Sequence, residues 1–90
     1  MTYEEAIDSL VFRPARHEGR CVVHRRALRA LLGREPGPAE GLAYLQANLT
    51  ALEAAARAKI ERLGLAAEAH FHLTSRDLRR SMPPAGPSAR

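Results

Sequence analysis

Four histidines, one cysteine and an arginine-rich stretch are the parts of this chain with chemistry to offer. Cys21 and His24 have the types of a thiolate and its base, but their segment reads as a strand, where positions three apart point to opposite faces, so they do not pair directly. Cys21 is therefore expected to be a small buried apolar side chain. His70 and His72 share a face of an extended chain about 7 Å apart, and they become a candidate metal pair if His17 or His24 joins from a neighbouring strand. No Asp, Glu or Cys stands at a fixed ligand spacing around them, so the plainer expectation is two polar residues on the wet face of a sheet. Arg13, Arg16, Arg20, Arg25, Arg26 and Arg29 form a candidate phosphate-tracking patch, which an uncapped helix N-terminus after His24 would strengthen. Glu4, Glu5 and Glu18 offset part of that charge, and no zinc-finger spacing, Gly-rich phosphate loop or aromatic-rich strand accompanies it.

The whole composition narrows what such residues can be asked to do. Ninety residues support one small core. With 46% hydrophobic and 27% charged residues, the chain lies in the range of soluble globular proteins rather than disordered or disulfide-stapled ones. A net charge of +4 ordinarily suggests an anionic partner, but thirteen of the fourteen basic residues are Arg and Ala is the commonest residue. That pattern is the mark of a GC-rich genome, in which Arg stands where Lys would serve. Lys59 is the only lysine. Tyr3, Phe12, Tyr44 and Phe71 are the only large rings available for stacking. The single cysteine forms no intramolecular disulfide, the acidic N-terminus lacks a basic leader, and no uncharged apolar run approaches the roughly 20 residues of a membrane span. A cytoplasmic location is the expectation, without membrane or cofactor.

The elements that must position these residues are read from periodicity. Residues 10–13 and 20–23 are β-type runs joined by a turn with Gly19 at an expected positive φ, which predicts a hairpin. Leu28, Leu31 and Leu32 have helical spacing and Gly33 follows them, giving a short helix with His24 as a poor cap and Arg25 and Arg26 at the wrong end of its dipole. A long helix is predicted over 38–63, opened by Pro38, striped by Leu42, Leu45, Leu49, Leu52, Ala56 and Leu63, and stopped by Gly64. Leu49 is the expected centre of the core. Residues 69–74 alternate strictly and predict a half-buried strand, Ser75 is a candidate cap for a last turn, and 81–90 read as a disordered Pro-rich tail. Thr2 and Glu5 have capping-box spacing in a segment too short to assign.

Val11-Phe12, Gly19-Arg20-Cys21-Val22-Val23 running into Ala27-Leu28, Ala51-Leu52-Glu53 with Ala56 and Lys59-Ile60, and Leu73-Thr74 with Asp77-Leu78 carry a resemblance across most of the chain. In these residues, and in the order hairpin, short helix, long helix, strand, the sequence resembles the small bacterial family known as domain of unknown function 1488. The resemblance implies a compact two-layer α/β domain with an antiparallel sheet, and it implies no activity. His24 stands where that family typically has Ser before its short helix.

The fold expected is a single α+β domain over 1–80, in which a three-stranded antiparallel sheet, the hairpin plus a C-terminal strand, packs one face on one short and one long helix. The function expected is a non-enzymatic interaction module whose partner is another protein or a second copy of itself. A nucleic-acid-associated factor using the Arg cluster and a His-based metal binder are the alternatives.

Overall fold

In the computed structural model, which describes residues 1–82, the opening residues form a strand. This strand, β1 (Thr2–Glu4), pairs antiparallel with β2 (Ser9–Phe12) in the register Thr2↔Val11, Tyr3↔Leu10 and Glu4↔Ser9. A 3-10 turn over Glu5–Ile7, closed by Asp8 in the left-handed region at φ 48°, reverses the chain between them. So short a segment is a poor helix nucleus. As a strand it packs Tyr3 against the core and brings the Tyr3 hydroxyl to Asp8 Oδ1 at 2.5 Å.

β2 and β3 (Cys21–His24) form the expected hairpin, with Leu10 opposite Val23 and Phe12 opposite Cys21. Its positive φ falls on Arg16, at 59°, and not on Gly19. Gly19 is needed for space instead, because a Cβ there would meet the Ala69 carbonyl oxygen at 1.9 Å. β4 (Phe71–His72) lies beside β3 and runs parallel to it, in the register Cys21↔Phe71 and Val22↔His72. The result is a four-stranded mixed sheet in the order β1-β2-β3-β4, which corrects the expected three-stranded antiparallel one in strand number and in the direction of its last strand. Alternation over 69–74 sets the face each side chain takes, but the long helical connection between β3 and β4 sets direction, since only such a crossover can join parallel neighbours.

Among the described residues, the helices lie on one face of the sheet. A 3-10 turn over Arg25–Leu28 runs into α1 (Arg29–Leu32), which Gly33 ends at φ 77°. The predicted long helix is two: α2 (Pro38–Ala47) and α3 (Leu49–Leu63). Asn48 separates them with φ −119° and ψ 34°, and its side-chain amide donates to the Tyr44 carbonyl at 2.9 Å. An asparagine that bonds nearby backbone competes with the helical ladder, and here it breaks the stripe. Leu45 and Leu52 are fully buried on either side of the break, whereas Leu49 is 46% exposed and Leu63 is 56% exposed. The core therefore centres on Leu10, Val23, Leu28, Leu45, Leu52 and Leu73, and the expectation for Leu49 is overturned. Leu52→Ala is expected to cost about 2–5 kcal/mol in urea denaturation, and Leu49→Ala no more than about 0.5 kcal/mol. The reverse order would mean that the two helices pack as one rod.

After α3 the chain returns along the end of the sheet, forms β4 and enters α4 (Ser75–Arg79). Thr74, not Ser75, is its cap: the Thr74 hydroxyl accepts from the Asp77 N–H, and Asp77 Oδ2 accepts from the Thr74 N–H at 2.8 Å. Ser81 and Met82, expected in the tail, belong to the domain. Met82 is buried in the core and its N–H donates to the Leu78 carbonyl. The rest of the expected tail lies outside the described residues. At 38 × 32 × 18 Å, the short dimension accommodates one sheet and one helical layer. Among the described residues, no helical layer covers the other face of the sheet.

Candidate functional site

Pleating places Cys21 and Val23 of β3 on the helix side and Val22 and His24 on the bare side, as their alternating burial reports. His72 pairs with Val22 and so joins the bare side, where His70 follows two residues earlier. His24, His70 and His72 are all exposed, and with Val22 and Ile7 they line a shallow depression of about 510 Å³ whose surface is mostly apolar. The histidines that the sequence places on neighbouring strands are thus brought to one surface. His24 Nδ1 accepts from the Arg26 N–H at 3.1 Å, so the helix start expected to be uncapped is capped by a ring nitrogen. His70 Nδ1 accepts from the Arg20 N–H at 2.9 Å, which ties the approach to β4 onto the approach to β3.

His17, the other histidine considered as a third metal ligand, is elsewhere. Its ring is buried, bonds the Ala69 carbonyl oxygen through Nε2 at 2.7 Å, and meets Phe71 edge-on with centroids 5.4 Å apart. It is a packing residue of the loop that holds 66–70 against the sheet. Among the described residues no group of three or more His, Cys, Asp or Glu is arranged to hold a metal ion. Cys21 is fully buried, and burial first of all pushes its thiol up to about 12, so it stays protonated at neutral pH and points away from His24.

The arginines separate once they are placed on the sheet. β2 ends at Phe12 opposite Cys21, which puts Arg13, Arg16 and Arg20 at one end of the strands, while Arg25, Arg26 and Arg29 follow His24 at the other. Arg20 reaches back to Glu4 at 2.8 Å. By register this pair spans the row holding Val11 and Val22, consistent with a Val11 that is only 6% exposed on the face without helices. Arg25 is a structural pin: Nε and Nη2 grip Asp8 at 2.7 and 2.9 Å, and Nη1 reaches the Pro36 carbonyl at 2.9 Å and Glu35 at 3.0 Å. One guanidinium thus fastens the β1–β2 turn, the start of the short helix and the 33–37 loop. Reversing its charge would set a carboxylate beside Asp8 and Glu35. Arg25→Glu is therefore destabilising, contrary to the stabilisation expected from the helix dipole alone, while Arg26→Glu, at an exposed side chain, leaves stability nearly unchanged.

The same pair predicts a response to acid. The hydrogen bonds from the Arg25 guanidinium, and then from the Tyr3 hydroxyl, hold the Asp8 carboxyl down at about 2. Its folded value lies below the ordinary unfolded value of about 3.9, so its contribution is fully present above that value and is lost as pH falls toward 2. Urea midpoints recorded from pH 5 to pH 2 are expected to fall less steeply for Asp8→Asn than for the parent chain. Parallel curves would contradict the assignment.

Sequence reading passed over Asp8, Glu35, Lys59 and Asp77 as partners. Two signals were there to find: a lone Lys in an Arg-rich chain, and the capping-box spacing of Thr74 and Asp77. No protein-family model matches the chain, and no curated protein or solved structure is detectably similar to it. No helix among the described residues is long and apolar enough to cross a membrane.

Proposed function

We propose that this protein is a cytoplasmic, non-enzymatic interaction module that binds a protein partner through the bare face of its sheet, and that it belongs to the family it resembles, domain of unknown function 1488. The observation that carries the reading is the depression between Ile7, Val22 and the three exposed histidines, an apolar floor on a sheet face that has no helical layer among the described residues. Sheets of this kind commonly keep one face for the core, and a solvated face is then polar. Here its centre is apolar, which favours contact with a second surface. Against catalysis stand a thiol held protonated by burial and a His17 ring spent on packing. Against nucleic acid stand the division of the arginines between two ends of the sheet and the internal engagement of Arg25.

Photocrosslinking tests the reading. Benzoylphenylalanine placed at His72 on the bare face is expected to trap a discrete protein adduct in cells, and the same group at Ala58, exposed on α3, is expected to trap none. Equal trapping from both positions, or none from position 72, would remove the bare face as the binding surface.

A further inference from the structure

We infer that the Arg20–Glu4 ion pair is a latch over the bare face: closed, it covers Val11, and open, it adds Val11 to the apolar floor on which a partner protein docks. The latch acts on the binding surface proposed above and so rests on that reading. It shows first as a valine that its surroundings do not hide. Val11 alternates with Leu10 and Phe12, which pack into the core beneath the helices, so its side chain lies on the other face of the sheet. Its row across the sheet is Thr2, Val11, Val22 and His72, of which Thr2 and His72 are exposed and Val22 is half-buried. Val11 is nevertheless only 6% exposed, and it stands outside the core cluster. Neither the core nor its own row covers it.

Arg20 and Glu4 do. Alternation puts both side chains on the face of Val11, Arg20 two residues before Val22 and Glu4 two residues after Thr2. Glu4 lies on β1 in the row of His24, and Arg20 precedes His24 by four residues at the start of β3, so the line between them crosses β2 at Val11. Those offsets amount to about 13 Å along the strands and about 10 Å across them, or about 16 Å between the two main-chain positions. Arg20 Nη1 still reaches Glu4 Oε2 at 2.8 Å. Two side chains bridge such a span only when both lie flat on the sheet, where the arginine stem shields apolar surface while its charged head stays wet. Opening leaves the fold intact. Both side chains are partly exposed, so water can take up either end, and an ion pair of this kind holds weakly. The main-chain bonds of Arg20, its N–H to His70 Nδ1 and its carbonyl from the Phe71 N–H, do not involve the guanidinium. Once the pair parts, Val11 lies open beside its register partner Val22, and with Ile7 the apolar floor extends from β3 onto β2.

The test is the rate at which the thiol of a Val11→Cys chain reacts with iodoacetamide, with the native Cys21 as internal reference. Cys21 is fully buried and its thiol is pushed up to about 12, so it labels only when the domain opens as a whole. Position 11 is expected to label slowly behind the closed latch. Glu4→Gln should speed it about two- to fivefold, the scale of an exposed ion pair, and Arg20→Ala, which removes the cover, about tenfold or more, with Cys21 unchanged. Raising salt from about 0.01 M to about 1 M should speed labelling while the pair is present and not after Arg20→Ala. The exchanged pair Glu4→Arg, Arg20→Glu should restore slow labelling. Position 11 reacting as fast in the latched chain as in Arg20→Ala, or an acceleration shared by Cys21, would overturn the latch. Photocrosslinking from position 72 separates the latch from the surface it covers, because the adduct is expected to form in at least about twofold higher yield in Arg20→Ala. An adduct of unchanged yield would keep the face as the binding surface and overturn the latch. Labelling rates as expected, with no adduct from position 72, would keep the cover over Val11 and overturn docking on this face.

Discussion

Gly19→Ala is expected to leave the domain largely unfolded or to lower its melting temperature far more than any surface change. The new Cβ would lie 1.9 Å from the Ala69 carbonyl oxygen and 2.4 Å from its carbon, both main-chain atoms without a rotamer to yield. The two segments must therefore part by more than 1 Å, on the order of a third of a van der Waals contact. They are held by a dense set of short bonds. The N–H groups of Glu18 and Gly19 both donate to the Ala67 carbonyl, His17 bonds the Ala69 carbonyl, Arg20 donates to His70, and the Phe71 N–H donates to the Arg20 carbonyl. Each such bond contributes about 0.5–1.5 kcal/mol, and several would be lost at once. A cost above about 4 kcal/mol follows, against a total stability of about 5–15 kcal/mol for a domain of this kind. Gly37→Ala is the control, because a Cβ there meets nothing within 4 Å. A Gly19→Ala protein that melts within a few degrees of the parent would show that the loop and the 66–70 segment are not in contact.

The clasp around Gly19 also marks where sequence reading stops. The hairpin was legible because Leu10, Phe12, Cys21 and Val23 alternate across a short connection, and α3 was legible because Leu52 and Ala56 keep a helical stripe, although buried Ile60 and not Leu63 completes it. Both signals are local. Asn48 broke the predicted rod through a bond to a carbonyl one turn back, a competition that the apolar spacing of Leu45, Leu49 and Leu52 does not display. β1 was missed because its three residues carry no period of their own and take their conformation from β2. The direction of β4 depends on where two helices deliver the chain, and alternation is blind to that. For the site, the shared face of His70 and His72 followed from strand geometry, whereas the arrival of His24 beside them needed the β3–β4 register. The arginine cluster misled for the opposite reason: residues close in sequence lie at opposite ends of strands, and Arg25 found its partners in Asp8, Glu35 and Pro36 through the tertiary fold.

The only lysine in an arginine-rich chain is where a second large effect is expected. Lys59 is 13% exposed, and its ammonium donates to the His72 carbonyl at 2.8 Å and to Asp77 Oδ2 at 2.7 Å, joining α3, the β4 edge and α4 at one point. Asp77 is 7% exposed. Burial opposes its ionisation, but the Lys59 ammonium and the Thr74 N–H and hydroxyl outweigh that and hold its carboxyl well below the usual range. Lys59→Met keeps most of the stem and removes the charge, which leaves Asp77 with the more exposed Arg62 at 3.1 Å and the His72 carbonyl without its donor. Breaking such a pair from one side costs about 3–5 kcal/mol, at the lower end here because Arg62 remains. In the double variant Lys59→Met, Asp77→Asn the cost should fall short of the summed single costs by about 0.5–3 kcal/mol, since no buried charge is left alone. Lys59→Arg is the sharper experiment. A compact ammonium turns its donors toward a carbonyl and a carboxylate on different elements, whereas a planar guanidinium needs more room and a coplanar fork. Lys59→Arg is thus expected to destabilise by more than about 1 kcal/mol despite conserving charge, and hydrogen exchange should speed up first at the Phe71 and Leu73 amides, which donate to the Arg20 and Val22 carbonyls and hold β4 to β3. If Lys59→Arg proves neutral in urea, the geometry at Asp77 does not require a lysine, and the edge that carries His70 and His72 is fixed by backbone pairing alone.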